Sequence, residues 1–439
     1  MLSAVRVVNA AFTTKHVTKG AANPPSASLK AADYSLALTR TVARPKSKRE
    51  ALRHLSKRVV AANDIAIIAG SDLDEEYITN ITFGNQNFTA IVDTGSSDSW
   101  LAKKGFSCFT LADEPEPEAE CAFGTDGFDP DASPTFVAYP GHNFNISYGD
   151  GEFLTGEVGF ETVAIGGLTV TSQEVGIVTD AAWFGDGEST GLIGLCYPDL
   201  TSVYSTTNPS DDSAANNEPY DPFVFSAIKQ GLISDPIFSV ALNRGSVAAE
   251  EGSQLDPNLG LLAFGGIAPV DVTNKAVTVP IQGFAVSSTK SDFFFYNVDI
   301  DAYVFPGSEA LQTSGTSILD TGTTLLYLPT PIADALAAEF VPPAVFSEDF
   351  GAYLVECNAT APSFAVVIGS VSFSVTAADL ILPIGADSDG NQICISGHDD
   401  GGPQTGDNIF ILGDTFLHNV VATFNLADNV VTLTERTPY

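Results

Sequence analysis

Residues 91–102 read IVDTGSSDSWLA, and residues 318–329 read ILDTGTTLLYLP. Each is an apolar, β-leaning run into which Asp-Thr-Gly has been set. A lone Asp-Thr-Gly is ordinarily a turn between strands. Three features set this pair apart: apolar residues precede each copy, Ser or Thr follows it, and the copies fall at equivalent places in two halves. Asp93 is followed 101 residues later by Gly194 of LIGL, and Asp320 is followed 93 residues later by Gly413 of ILGD. A repeat of so long a period means duplicated lobes rather than a solenoid. The chain is therefore constrained to two related lobes that present the same loop.

The lobes read as mostly β. The 439 residues are 44% hydrophobic, enough for more than one core, with 38 Gly, 25 Pro and 29 Phe among short Val/Ile/Thr/Phe runs. Strands are expected from Tyr77 to Trp100, and polar loops at 110–135 and 205–220. Helical periodicity is scarce and clearest at 221–233 and at 331–340, the second with Pro331 in its first turn. The expected division is 1–58, a basic N-terminal signal and prosegment region; 59–240, an N-terminal lobe; and 241–439, a C-terminal lobe.

Charge separates the first of these from the rest. Up to Arg58 twelve Lys/Arg face two acids, Asp33 and Glu50, whereas beyond it seven Lys/Arg face 52 acids. An acidic body of this kind repels itself at neutral pH and is relieved when its carboxyls are protonated, so it suits acidic surroundings. It does not suit nucleic acid, whose phosphates require the opposite sign. The basic head reads either as a cationic tail or as a removable prosegment covering the acidic body. Its dibasic pairs Lys48-Arg49 and Lys57-Arg58 favour the second.

The residues also point to a secretory route. Sequons stand at Asn80, Asn87, Asn145 and Asn358. A signal peptide is not clearly legible, because the apolar stretch in residues 1–13 is broken by Arg6 and Asn9. Of the five cysteines, Cys108 and Cys121 lie in one polar loop, and Cys357 and Cys394 flank a run of strand signals. Two local disulfides with Cys196 left over is the expected pairing. No zinc site is expected, since no CxxC occurs and the five His are scattered. No membrane span is expected either: the uncharged stretch 358–378 is rich in Ser and Thr and is interrupted by Pro362.

If the lobes pack about a two-fold axis, the repeat brings two Asp side chains face to face. Carboxylates about 3 Å apart cannot both ionise, so they share a proton and one serves as base while the other serves as acid. Such a pair can polarise a water to attack a carbonyl while protonating its oxygen. Gly95 and Gly322 let backbone N–H groups approach the carboxylates. Thr94 and Thr321 are placed to cross-brace the loops, and Ser96 and Thr323 to bond the outer carboxylate oxygens.

On these motifs the chain, from about Tyr77 onward, resembles the pepsin family of aspartic proteases, in a fungal-like zymogen form. Paired carboxylates with split pKa values are the known chemistry of this family. The resemblance implies a bilobal β fold with a cleft between the lobes, an acid endopeptidase without cofactor, and protein or peptide substrates. It also implies an intramolecular inhibitor in the prosegment, a monomer, and a secreted or vacuolar location. It carries the catalytic dyad onto Asp93 and Asp320, and the substrate-covering hairpin, or flap, onto 146–158. Tyr148 and Gly149 then lie at the flap, and Trp100 is the indole that bonds the Tyr148 hydroxyl. The family disulfides fall on Cys108–Cys121 and Cys357–Cys394.

Some residues depart from the family pattern. The Cys108–Cys121 loop is longer than in the animal enzymes, and the flap carries Asp150 and Glu152 where many members have hydroxyl residues. An acid at the first of these positions resembles fungal relatives that accept Lys before the scissile bond. Asp150 thus reads as a partner for a substrate Lys or as a solvated turn carboxylate. Two other functions compete with proteolysis. An inactive binding protein on the same fold would usually have lost an Asp or the flap Tyr, and this sequence keeps both. An acid glycosidase also uses two carboxylates, but roughly 5 Å or more apart and without a symmetric duplication.

Overall fold

The computed structural model describes residues 30–41, 76–149, 151–244, 256–285, 291–311, 314–348, 350–386, 391–404 and 408–439. Thirty strands and four short α-helices occur among them, so the mostly β expectation holds. The strand Gln86–Asp93 shows how the sequence sets this up. It begins half-exposed with alternating burial and ends in four consecutive buried positions. That change from alternation to continuous burial marks a strand entering the interior with both faces covered. Its last residue is Asp93.

The largest sheet runs through both halves of the chain. At its centre Gly191–Gly194 lies parallel to Gln86–Asp93, with Gly194 opposite Asp93. On the other side of Gly191–Gly194 lies Ser99–Phe109, antiparallel. Beyond Gln86–Asp93 the order continues through Glu76–Phe83, Tyr34–Thr41, Asp256–Phe264, Ile237–Leu242, Val420–Asn425, Val430–Arg436 and Val272–Pro280. The second half repeats the central unit in a smaller sheet. There Gly315–Leu319 runs parallel to Ile411–Leu412, which pairs with Leu326–Leu328. The duplicated sequence pattern thus corresponds to a duplicated local structure.

The strand Tyr34–Thr41 belongs to the basic head, and its place in this sheet goes beyond what charge alone suggests. It pairs antiparallel with Asp256–Phe264 from Tyr34↔Phe264 to Arg40↔Asp256, and with Glu76–Phe83 through Thr39, Arg40 and Thr41. Leu38 is fully buried in the main core, and Tyr34 and Leu36 pack against it. The run YSLALTRT carries the period-2 signal of a strand.

Of the helices, Phe223–Lys229 and Thr330–Ala338 fall where periodicity places them. The second buries Ile332, Ala333, Leu336 and Ala337 along one face. Complete burial of Leu336 stabilises by about 2 kcal/mol, and a charge there would break the packing. Disulfides join Cys108 to Cys121 and Cys357 to Cys394, and Cys196 is a buried thiol. Asn80, Asn87 and Asn358 are exposed. Asn145 is half-buried and donates its amide to Asp212 at 2.8 Å. Among the described residues no helix is long and apolar enough to cross a membrane, and no cluster of His, Cys, Asp or Glu could hold a metal ion.

Candidate active site

The two Asp-Thr-Gly loops meet in the interior, and both Asp93 and Asp320 are fully buried. Their surroundings match atom for atom. Asp93 Oδ1 accepts the Gly95 N–H at 2.7 Å, and its Oδ2 accepts the Ser96 hydroxyl. Asp320 Oδ1 accepts the Gly322 N–H at 2.9 Å, and its Oδ2 accepts the Thr323 hydroxyl at 2.8 Å. Each carboxyl is thereby fixed on both oxygens, as a buried polar group must be.

The loops are fastened to each other by two threonines. The Thr94 N–H donates to Thr321 Oγ1 at 3.1 Å, and the Thr321 N–H donates to Thr94 Oγ1 at 3.0 Å. Each hydroxyl then donates across the junction, Thr94 to the Leu319 carbonyl at 2.9 Å and Thr321 to the Val92 carbonyl at 2.7 Å. Four bonds related by a local two-fold hold the loops back to back.

The glycines of LIGL and ILGD seat this arrangement. A Cβ on Gly194 would lie 2.6 Å from the Ser97 backbone nitrogen, and one on Gly413 would lie 2.2 Å from the Thr323 carbonyl oxygen. Only glycine lets the supporting strands come so close. The backbone closes the contact through Cys196 N–H to Ser96 O at 2.8 Å and Asp414 N–H to Thr323 O at 2.8 Å. The Cys196 sulfur itself bonds the Thr94 carbonyl, and burial pushes its pKa well above the usual thiol value, so it stays a thiol.

Above the first loop stands the hairpin formed by Asn143–Ser147 and Phe153–Ile165. Tyr148 lies at its tip, nearly buried, and accepts the Trp100 indole N–H at 2.8 Å. Burial raises the phenol pKa well above its ordinary value; the charges of Asp93 and Asp98 add to this, while the Trp100 bond opposes it. Tyr148 is therefore a neutral hydroxyl at any acid pH. Gly149 is half-buried beside it, and Asp150 lies outside the described residues.

The eukaryotic aspartyl protease family matches residues 76–436 of the chain, which takes in both loops and the hairpin. The chain belongs to this family. It is an aspartic-type endopeptidase of the fungal, pepsin-like kind. It is 38% identical to a probable aspartic-type endopeptidase of Aspergillus fumigatus, over 94% of this chain and 90% of that one. It is 31% identical to Rhizopuspepsin-2 of Rhizopus niveus, over 80% of this chain and 76% of the relative. Among solved structures it is similar in fold to the aspartic proteinase of Irpex lacteus, with a TM-score of 0.59 and 22% identity, covering 82% of this chain and 94% of that one.

Two residues packed around this hairpin are not announced by any motif in the sequence. Trp183 packs edge-on against Trp100, with ring centroids 5.2 Å apart, and against Tyr148 at 5.5 Å. The only signal for it was its rarity, since the chain has two tryptophans. Glu152 stands out in the sequence as a departure near the hairpin tip, but the direction of its side chain is not legible there: it is fully buried and accepts the Phe184 N–H.

Proposed function

We propose that this endopeptidase cleaves peptide bonds in acid by a water activated between Asp93 and Asp320, and that it is made as a zymogen. The observation that carries the mechanism is the reciprocal Thr94–Thr321 brace, which holds two identically bonded carboxyls at the junction of the two loops. Adjacent buried carboxyls retain one proton between them. The ionised member takes a proton from the water as it attacks the scissile carbonyl, and the protonated member gives its proton to the carbonyl oxygen. The tetrahedral gem-diol then collapses: one member returns its proton to the leaving amine while the other takes a hydroxyl proton from the new carboxyl group, which restores the shared proton. No covalent intermediate forms. Tyr148 and the flap cover the substrate and exclude bulk water.

The zymogen reading draws support from the head strand Tyr34–Thr41, which lies within the large sheet between Glu76–Phe83 and Asp256–Phe264. Just before it, Lys30 sits between Asp33 and Asp235 at 3.0 and 3.1 Å. Through Asp235 the positive charge of the head meets negative charge on the body, and acid that protonates the body's carboxyls weakens attraction of this kind. Removal of the head near Arg58 opens the cleft to substrate, and before removal the prosegment is the inhibitor. A secreted or vacuolar monomer, divided near residue 240 into two lobes and glycosylated at exposed Asn80, Asn87 or Asn358, completes the reading.

The test is hydrolysis of a denatured protein at about pH 3.5 by the acid-treated full chain, with and without a statine-type transition-state mimic. Cleavage abolished by the mimic and untouched by a chelator supports the proposal. Failure to cleave after acid treatment would point instead to a binding protein on the same fold.

A further inference from the structure

The flap is tied to the body of the first lobe at a point no family motif accounts for. Glu152 follows the turn that begins at Tyr148, and its backbone carbonyl accepts the Tyr148 N–H at 2.8 Å. Its side chain turns inward instead of toward solvent and is fully buried, with Oε1 accepting the Phe184 N–H at 2.6 Å. A carboxyl placed in an apolar layer is costly unless it is well bonded, and 2.6 Å is short even for a strong N–H acceptor. One residue thus holds both the chain of Tyr148 and the chain just past Trp183.

That second attachment matters because of what Trp183 touches. Its indole is 2% exposed and rests edge-on against Trp100 and Tyr148, the two residues joined by the flap hydrogen bond. Phe123 stacks on its other side at 6.2 Å. Trp183 Nε1 is buried without a hydrogen-bond partner, so packing alone holds the ring. The strand that leads to Trp183 also forms the outer wall of the hairpin, with Phe153 opposite Ala182 and Leu154 opposite Ala181. The seat on which Tyr148 rests is therefore kept in place by the Phe184 backbone, and that backbone by Glu152.

We propose that Glu152 is a flap-positioning residue, whose buried carboxyl fixes the Trp183–Phe184 segment and so sets the height and orientation of Tyr148 over the cleft. The proposal rests on the reading of Tyr148 as the flap residue. It assigns Glu152 no contact with substrate. Glu152 acts through the aromatic seat.

Two substitutions separate the hydrogen bond from the volume. Glu152→Met keeps the length and removes the acceptor, whereas Glu152→Gln keeps a carbonyl oxygen for Phe184 N–H. Both are made in the full chain and measured after acid treatment. Both tryptophans of the chain, Trp100 and Trp183, lie in this seat, so intrinsic fluorescence reports on it directly. The expected result for Glu152→Met is a shifted tryptophan emission, with KM for a peptide and Ki for a statine-type mimic each raised about tenfold and kcat changed much less. Glu152→Gln should keep wild-type emission and stay within about threefold of wild type in KM and Ki. Wild-type emission and Ki in Glu152→Met would overturn the proposal, as would equal defects in the two variants. If Glu152→Met fails to fold, Glu152→Gln decides, since loss of inhibitor affinity with the acceptor retained contradicts the clamp. The fluorescence reading stands even if the chain proves to have no proteolytic activity, so failure of the clamp and failure of the proposed mechanism are told apart.

Discussion

Thr94 and Thr321 each receive the other's backbone N–H, at 3.1 and 3.0 Å, and each returns its own hydroxyl to a carbonyl across the junction. Removing either hydroxyl strands one N–H and one carbonyl in a buried place. Thr321→Val should therefore cost about 3 kcal/mol in denaturant unfolding and lower kcat by roughly a hundredfold, because the carboxyls lose their mutual register. Thr321→Ser, which keeps the oxygen, should stay close to wild type in both measurements.

A second junction, away from the cleft, predicts acid resistance. Asp379 is buried and receives Arg244 through two bonds of 2.6 Å, with His418 at 2.9 Å, Asn419 at 2.9 Å and Thr376 at 2.8 Å. Burial pushes its carboxyl pKa up, but the bonds from His418 and Arg244 outweigh burial and hold it well below the usual carboxylate range. A depressed carboxyl contributes stability above its unfolded pKa, and that stability is lost only as pH falls through the folded value. The network should hence keep part of its strength at about pH 3. Asp379→Asn leaves Arg244 without its counter-charge and should cost about 3–5 kcal/mol at pH 5. Unfolding curves of both proteins at pH 5 and pH 3 check this, and the gap between them should narrow toward the lower pH.

Two other carboxyls pull stability the opposite way with pH. Asp399, buried in the second half, is pushed up to about 7, chiefly by burial, with Asp400 adding to it by charge and opposing it by a backbone bond. Glu174, half-buried in the first half, is pushed up to about 7 by burial and then by Asp98, Glu218 and Asp221. A raised carboxyl contributes fully below its unfolded pKa and loses that contribution as pH climbs through the folded value, here between about 4 and 7. Asp399→Asn with Glu174→Gln should then raise the melting temperature at pH 8 by several degrees and leave it unchanged at pH 4. Thermal scans at the two pH values test the sign.

The head strand predicts how activation can be tuned. Leu38 is wholly buried between the strands Glu76–Phe83 and Asp256–Phe264. Leu38→Asn should weaken the docked head by about 2–4 kcal/mol and let conversion to the smaller form begin at a higher pH than in the wild type. Gel analysis across a pH series measures it, and N-terminal sequencing of the product should place the cut near Arg58. A chain that reaches full activity at all 439 residues would contradict the zymogen reading.

Much of this architecture was legible because it is written locally. The Asp-Thr-Gly repeats and the supporting Gly194 and Gly413 lie in short runs at matching spacings, the cysteine pairs frame one loop and one run of strand signals, and the role of the hairpin around Tyr148 follows from the resemblance that the repeats establish. What was missed is non-local or depends on the direction of one side chain. Arg244, Asp379 and His418 come from three distant stretches, and nothing in the sequence of any one announces the others. Glu152 follows a turn at which strand alternation is interrupted, so its burial could not be read from its neighbours. The head strand is different: YSLALTRT carries an alternating signal, but the charge of the head points only to a prosegment covering the acidic body and not to a strand within its sheet.

The central claim is that Asp93 and Asp320 act as one unit, and single substitutions test it most directly. Asp93→Asn and Asp320→Asn are measured separately, after acid treatment, for kcat on a peptide and for melting temperature. The account predicts that each variant keeps its fold and loses turnover to below about a thousandth of wild type, because neither carboxyl alone can activate the water and protonate the carbonyl. Retention of more than about a thousandth of the activity by either variant would contradict the shared-proton mechanism.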